Sequence, residues 1–321
     1  MSNYFQKNMD KIKKDYSISV IRLLACIMII SCHILQYYGN ELAWWLNVGV
    51  QIFLLISAFL YGQKEISNPL LFYKKNFIKI LTDYYLFLLF VIPIYLYFTD
   101  ISITTKIWLK LMFGLKALPG LEHLWYISTI LFCYLLIPFL FYFTKQKYKY
   151  VYFVSLLCII QILCSFHFLP FTGAWINCFI IGYVFGHFYK NFGKSILIKL
   201  LNFSLPIALV FNITKIYFGY INNKIVGLFY QYAHVFLAIA LFFILIILFQ
   251  KLNFNSFQKK FLNFTDKITY DVYITHHIFI LGPFSLLMGG GICIAILIAI
   301  ATGFVLFKLS SYIKNNILFE L

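Results

Sequence analysis

Residues 17–37 read SISVIRLLACIMIISCHILQY. A run of about 20 mostly apolar residues is the length that crosses the hydrocarbon core of a bilayer as a helix. This run qualifies, with Arg22 and His33 as its only basic members and no acidic one. It is too long for the core of a signal peptide and lacks a small-residue cleavage site, so it is read as a retained first helix. Nine further stretches qualify, at approximately 43–62, 77–98, 123–143, 149–168, 171–189, 199–218, 229–249, 269–288 and 291–313. Pro283 and Gly289-Gly290-Gly291 separate the last two. The pattern predicts an all-α, polytopic membrane protein of about ten transmembrane helices, forming a single domain over 1–321.

Composition agrees. The chain is 63% hydrophobic and 11% charged, against roughly 45–50% and 25% for soluble domains. Its net charge of +16 comes from 25 Lys and one Arg. In a soluble protein such a balance would suggest nucleic acid. Here the lysines sit in short loops between apolar runs, where they act as topology signals, and no nucleic-acid partner is expected. With the N-terminus inside, the inner segments hold 20 lysines, from Lys7, Lys11, Lys13 and Lys14 to Lys308 and Lys314, while the outer loops hold only Lys106, Lys110, Lys116 and Lys224. The asymmetry predicts cytoplasmic N- and C-termini and a multi-pass protein of the cell membrane. The longest outer loop, 99–122, places Lys106 and Lys110 on one face among Ile107, Trp108, Leu111 and Met112. Either an interfacial helix or a loop dipping into the headgroups accounts for it. The seven Cys lie inside apolar runs without metal spacing and read as small apolar side chains; no metal site is expected.

Ionisable groups inside a bilayer are costly and mark functional positions. Arg22 is the sole Arg of a chain that otherwise uses Lys, and its planar fork suits a carboxylate or phosphate. The plain alternative is an Arg snorkelling to the inner headgroups. His33 follows eleven residues later, about 16 Å along the axis and almost on the same face. Arg22, Cys26, Ile29 and His33 therefore form one stripe, suited to an internal cavity rather than lipid.

The spacing Arg22-x10-His33 resembles the first helix of the acyltransferase-3 family of membrane acyltransferases. VGVQIFLLISAFLYG (48–62) is similar to that family's second helix, with Ala58 where Gly is usual. FYKKNFIKIL (72–81) resembles its basic inner segment, with Lys75 and Lys79 where Arg is usual. HLWYIS (123–128) resembles the His-Leu-Trp start of a middle helix, and YDVYITHH (270–277) the late Tyr-x-x-Tyr-Leu-x-His segment, with His276 at the His position. The resemblance implies transfer of an acyl group, usually acetyl, from cytoplasmic acyl-CoA to a hydroxyl of a glycan or other acceptor at the membrane. It also implies that the reaction finishes within the helical bundle, because the extra esterase-like domain of many relatives is missing here.

That chemistry distributes roles. Arg22, Lys75 and Lys79 are candidates for holding the phosphates of acyl-CoA, the co-substrate, although lysines there also serve topology. Asp83, one turn beyond Lys79, is read as its neutralising partner. His33, with Arg22, is the catalytic candidate: a hydroxyl nucleophile needs a base that titrates near the working pH. An acyl-histidine intermediate is left open. Glu122, His123 and Trp125 at the outer side, and His276, are candidates for contacting the acceptor, a glycan or lipid-linked glycan. Trp125 also fits an aromatic belt. Adjacent helical residues point about 100° apart, so only one of His276 and His277 is expected to face a cavity well. His167, His187 and His234 read as interfacial. A transporter or flippase for a lipid-linked or small polar substrate is the competing class, but the two related halves common in transporters are not evident. A polysaccharide polymerase would be expected to carry a large, Arg-bearing outer loop.

Overall fold

The computed structural model describes residues 14–100, 103–115, 118–218 and 224–319. Lys7, Lys11, Lys13 and Lys116 lie outside the described residues, as does the side chain of Lys224. Among the described residues every regular element is helical. The order is α1 (Tyr16–Tyr37), a short α2 (Ala43–Leu46), α3 (Val48–Gly62), α4 (Pro69–Phe98), α5 (Thr105–Met112), a 3₁₀ turn (Glu122–Leu124), α6 (Trp125–Thr144), α7 (Lys149–Ser165), α8 (Gly173–Phe192), α9 (Ser195–Phe218), α10 (Lys224–Phe249), α11 (Ser256–Ile280) and α12 (Ile292–Phe319).

Each of the ten expected stretches overlaps a helix, the second of them two, α2 and α3. Seven stretches are long and apolar enough to cross a membrane: α1, α2 with α3, α4, the 3₁₀ turn with α6, α9, α10 and α12. Of the rest, α7 has 17 residues, and α8 and α11 carry more polar side chains.

Two boundaries differ from the sequence reading for a physical reason. Helix α4 starts at Pro69, where Asn68 caps the first turn by accepting from the Leu71 amide at 3.1 Å. The basic segment 72–81 is therefore helical. Helix α11 starts at Ser256 and ends at Ile280, launched by a reciprocal capping box between Asn255 and Gln258. Polar residues 256–267 thus extend the helix below its apolar part, and 281–291 forms the connection to α12. The 99–122 loop does contain a helix, α5, whose carbonyls at Leu111 and Met112 accept from the hydroxyls of Tyr84 and Tyr85 on α4.

Helix α3 is central, packed on α1, α8 and α10. Between apolar helices in lipid, close van der Waals fit replaces the hydrophobic effect as the driving force, and small residues permit it. A Cβ on Gly186 of α8 would collide with the Phe59 carbonyl of α3, and one on Gly62 of α3 with the Tyr183 carbonyl of α8. This contact sets the depth and rotation of α3 and α8, on which α1 and α6 then lie.

Candidate active site

Helix α1 carries two separate polar centres. At its Arg22 end, α1, α3, α4, α6, α11 and α12 line a cavity of about 560 Å3. Five cationic side chains (Lys14, Arg22, Lys79, Lys267, Lys314) and three acidic ones (Asp83, Asp266, Asp271) line it. Arg22 does not snorkel away from it. Its Nη1 donates to Asp266 Oδ1 at 2.5 Å, and the pair is largely enclosed, with side-chain exposures of 24% and 10%. Lys14 Nζ lies 2.5 Å from Asp266 Oδ2, and the Ser19 hydroxyl donates to the same oxygen at 2.6 Å. The Asp266 carboxylate thus accepts three charge-assisted or hydroxyl bonds, which holds the guanidinium in one orientation.

Across the cavity Asp83 is paired with Lys314 of α12 at 2.7 Å. This corrects the expectation that Asp83 neutralises Lys79, which instead lines the cavity with its ammonium unbridged among the described residues. Lys75, one turn nearer the start of α4, is exposed and does not line the cavity. Asp271 is 2% exposed, and its Oδ1 has no hydrogen-bond partner among the described residues.

The second centre is a cluster of four imidazoles at the His33 end. The His33 ring lies 4.6 Å from that of His277 and 5.2 Å from that of His276. His123 stacks on His277 at 4.6 Å and meets His276 at 5.4 Å. Both adjacent histidines of α11 therefore belong to the cluster, contrary to the expectation that only one would serve. His33 at one side and His123 at the other fill the angle between them.

Each ring is oriented by a hydrogen bond through one of its nitrogens. His33 Nδ1 bonds Gln36 Oε1 at 2.7 Å, His276 Nδ1 the Tyr273 carbonyl at 2.7 Å, His277 Nδ1 the Gly120 carbonyl at 2.8 Å, and His123 Nε2 the Ile274 carbonyl at 2.8 Å. A carbonyl oxygen only accepts, so it places the proton on the bonded nitrogen, which in His123 and His276 leaves the other as a base. In keeping with this, His123 Nδ1 and His276 Nε2 are buried without a partner among the described residues. Two imidazolium ions about 5 Å apart would repel by roughly 3 kcal/mol at an effective dielectric of 20, so the cluster is built to accept one proton at a time. No group among the described residues has the geometry to hold a metal ion.

An aromatic layer separates the two centres. Phe53, Tyr126 and Tyr273 line the His33 end of the cavity. The far side of Tyr273 touches His123 and His276, with ring centres at 5.6 and 5.7 Å, and its hydroxyl donates to the His123 carbonyl at 2.7 Å. Glu122 is half-buried beside the cluster. Trp125 is not a free belt residue, since it stacks on Trp175 of α8 at 3.8 Å and 18°. Of the histidines read as interfacial, His234 is instead buried and packed against Trp44, the rings tilted by 36° with centres 3.9 Å apart.

Asp266 and His277 were not singled out as site residues from the sequence. Asp266 falls just outside the apolar run of α11, and the position of His277 beside His276 spoke against it. The one available signal for Asp266 was that an intramembrane Arg requires a carboxylate or phosphate partner.

The sequence model of a family described as "Acyltransferase domain" matches residues 15–313, nearly the whole chain. No curated protein and no solved structure gives a significant match.

Proposed function

Since the chain belongs to the acyltransferase-3 family of membrane acyltransferases, we propose that it moves an acyl group, acetyl by preference, from cytoplasmic acyl-CoA to a hydroxyl of a cell-surface glycan or its lipid-linked precursor. Ten membrane crossings with both termini cytoplasmic, in the cell membrane, complete the reading. The observation that carries it is the pairing on one helix of a cation-lined cavity and a cluster of imidazole bases. Intramembrane histidines also serve as proton relays in transporters, and the family, which is one of enzymes, decides between the two readings.

In this reading the CoA phosphates lie against Lys79 and the Arg22 guanidinium at the cavity mouth, with Lys14, Lys267 and Lys314 adding to the field. The pantetheine arm extends along α1, past Ile29, and displaces the Phe53–Tyr126–Tyr273 layer to bring the thioester to the histidines. His33, with Nδ1 bonded to Gln36, presents Nε2 as the base. Nε2 takes the proton of the acceptor hydroxyl while the oxygen bonds to the thioester carbon. The C–S bond breaks, and the departing sulfur recovers the proton from the imidazolium. His276 and His277 pack on His33 and keep it desolvated, and Glu122 lies where an acceptor approaches.

The test is acyl transfer and acetyl-CoA binding by purified protein in nanodiscs. Binding with turnover to a hydroxyl acceptor supports the reading. Failure to bind acetyl-CoA at low salt overturns it.

A further inference from the structure

A second polar cavity lies away from both centres, between the ends of α7, α8 and α10 on the His33 side of the bundle. Its volume is about 540 Å3. Gln161, Ser165, His167, Phe171, Thr172 and Gln231 line it, and no Asp, Glu, Lys or Arg does so among the described residues. A water-filled mouth with no purpose would need no ordered wall, yet this wall is ordered from the core outward. Buried Asn177 donates through Nδ2 to the Tyr232 hydroxyl at 2.7 Å. That hydroxyl donates to Gln161 Oε1 at 2.9 Å, and Gln161 Nε2 donates to Ser165 Oγ at 3.0 Å. Gly173 makes room for this carboxamide, since a Cβ there would stand 2.6 Å from Gln161 Oε1.

The backbone adds an independent sign. Helix α7 closes with the Phe168 amide on the Leu163 carbonyl at 2.9 Å and the His167 amide on the Cys164 carbonyl at 3.1 Å. These are the two bonds of a Schellman motif, whose left-handed residue is usually Gly. Here it is His167, at φ 60°, the only non-glycine with positive φ among the described residues. Helix α8, by contrast, ends on Gly193 at φ 62°. This left-handed turn places the exposed His167 imidazole at the cavity wall.

The geometry points to a binding subsite for a neutral saccharide unit. Carboxamides, hydroxyls and an imidazole match the alternating donors and acceptors of sugar hydroxyls, and Phe171 offers an apolar ring face. The link to the reaction centre is direct in the chain. Trp175 follows Thr172 and Gly173, and it stacks on Trp125, two residues beyond His123. A longer glycan seated here would run toward the histidine cluster past the Trp175–Trp125 stack. The inference rests on the acceptor reading given above.

The experiment is saturation-transfer NMR on the full chain in phosphatidylcholine nanodiscs. The probes are methyl glucoside and methyl N-acetylglucosaminide, with glucuronate and glucosamine as charged counterparts. Expected is transfer to the neutral sugars alone, weakened at least tenfold by Gln161→Leu and by Gly173→Ala, with acetyl-CoA binding retained in both. Equal signals in wild type and variants, preference for a charged sugar, or no neutral-sugar signal in a protein that binds acetyl-CoA would each overturn the subsite while leaving acyl transfer standing. A wild type that binds neutral sugars but never acetyl-CoA keeps the saccharide site and sinks the donor reading. Stronger competition by a polyprenyl-linked glycan than by the free glycan would support the site and identify a lipid-linked source; equal competition would support it with the free polymer.

Discussion

Arg22 of α1 and Asp266 of α11 meet at 2.5 Å across 244 residues of sequence, at the wall of the cation-lined cavity. The bond makes Arg22 a fixed feature of the cavity rather than a headgroup anchor. It also ties the first helix to the eleventh on the side opposite the histidines.

Asp266→Asn is expected to slow acyl transfer while leaving acetyl-CoA binding at low salt intact or tighter. The change frees the guanidinium and removes one negative charge from the cavity. Transfer rate and binding, measured at matched protein level, decide the matter. Unchanged turnover would mean that Asp266 does not position Arg22.

Arg22→Lys keeps the charge and loses the fork, so transfer is expected to fall well below wild type even where expression is normal. Full activity would show that a point charge suffices.

His33→Ala is expected to reduce transfer by about 10²–10⁴, the range for losing a general base, with acetyl-CoA binding retained. Near-normal transfer would move the role to His276, whose Nε2 is the next imidazole nitrogen without a partner among the described residues.

Lys79→Gln is expected to weaken acetyl-CoA binding about tenfold, equivalent to ~1.4 kcal/mol. Lys75→Gln should have a smaller effect, because Lys75 does not line the cavity. Titrations at two salt concentrations provide the check. Equal losses in the two variants would place the nucleotide along the outside of α4.

Gly186→Ala pushes a methyl group into the Phe59 carbonyl. Overpacking of this kind costs about 1–3 kcal/mol, so the melting midpoint in detergent should drop and activity should fall with it. An unchanged midpoint would show that α3 and α8 slide apart freely.

Introduced cysteines at Lys64→Cys and Lys110→Cys, in a background free of native cysteines, should label from opposite sides of the membrane. Labelling of both from one side would contradict the orientation.

Much of this molecule is readable along the chain. Where the helices lie, that they belong in a bilayer, and that Arg22 and His33 share a face are local properties. They follow from apolar runs of spanning length and from helical periodicity, and the loop lysines add an expected orientation. The five motif segments brought the family within reach in the same way. The partners were not readable. That Arg22 meets Asp266, that Lys314 rather than Lys79 neutralises Asp83, that His33, His123, His276 and His277 form one cluster, and that Lys75 lies off the cavity were decided only in three dimensions. The reason is that contact between helices depends on their mutual rotation and depth. Those are set by close approaches such as that of Gly186 to Phe59, which join residues far apart in sequence and leave no periodic trace in it.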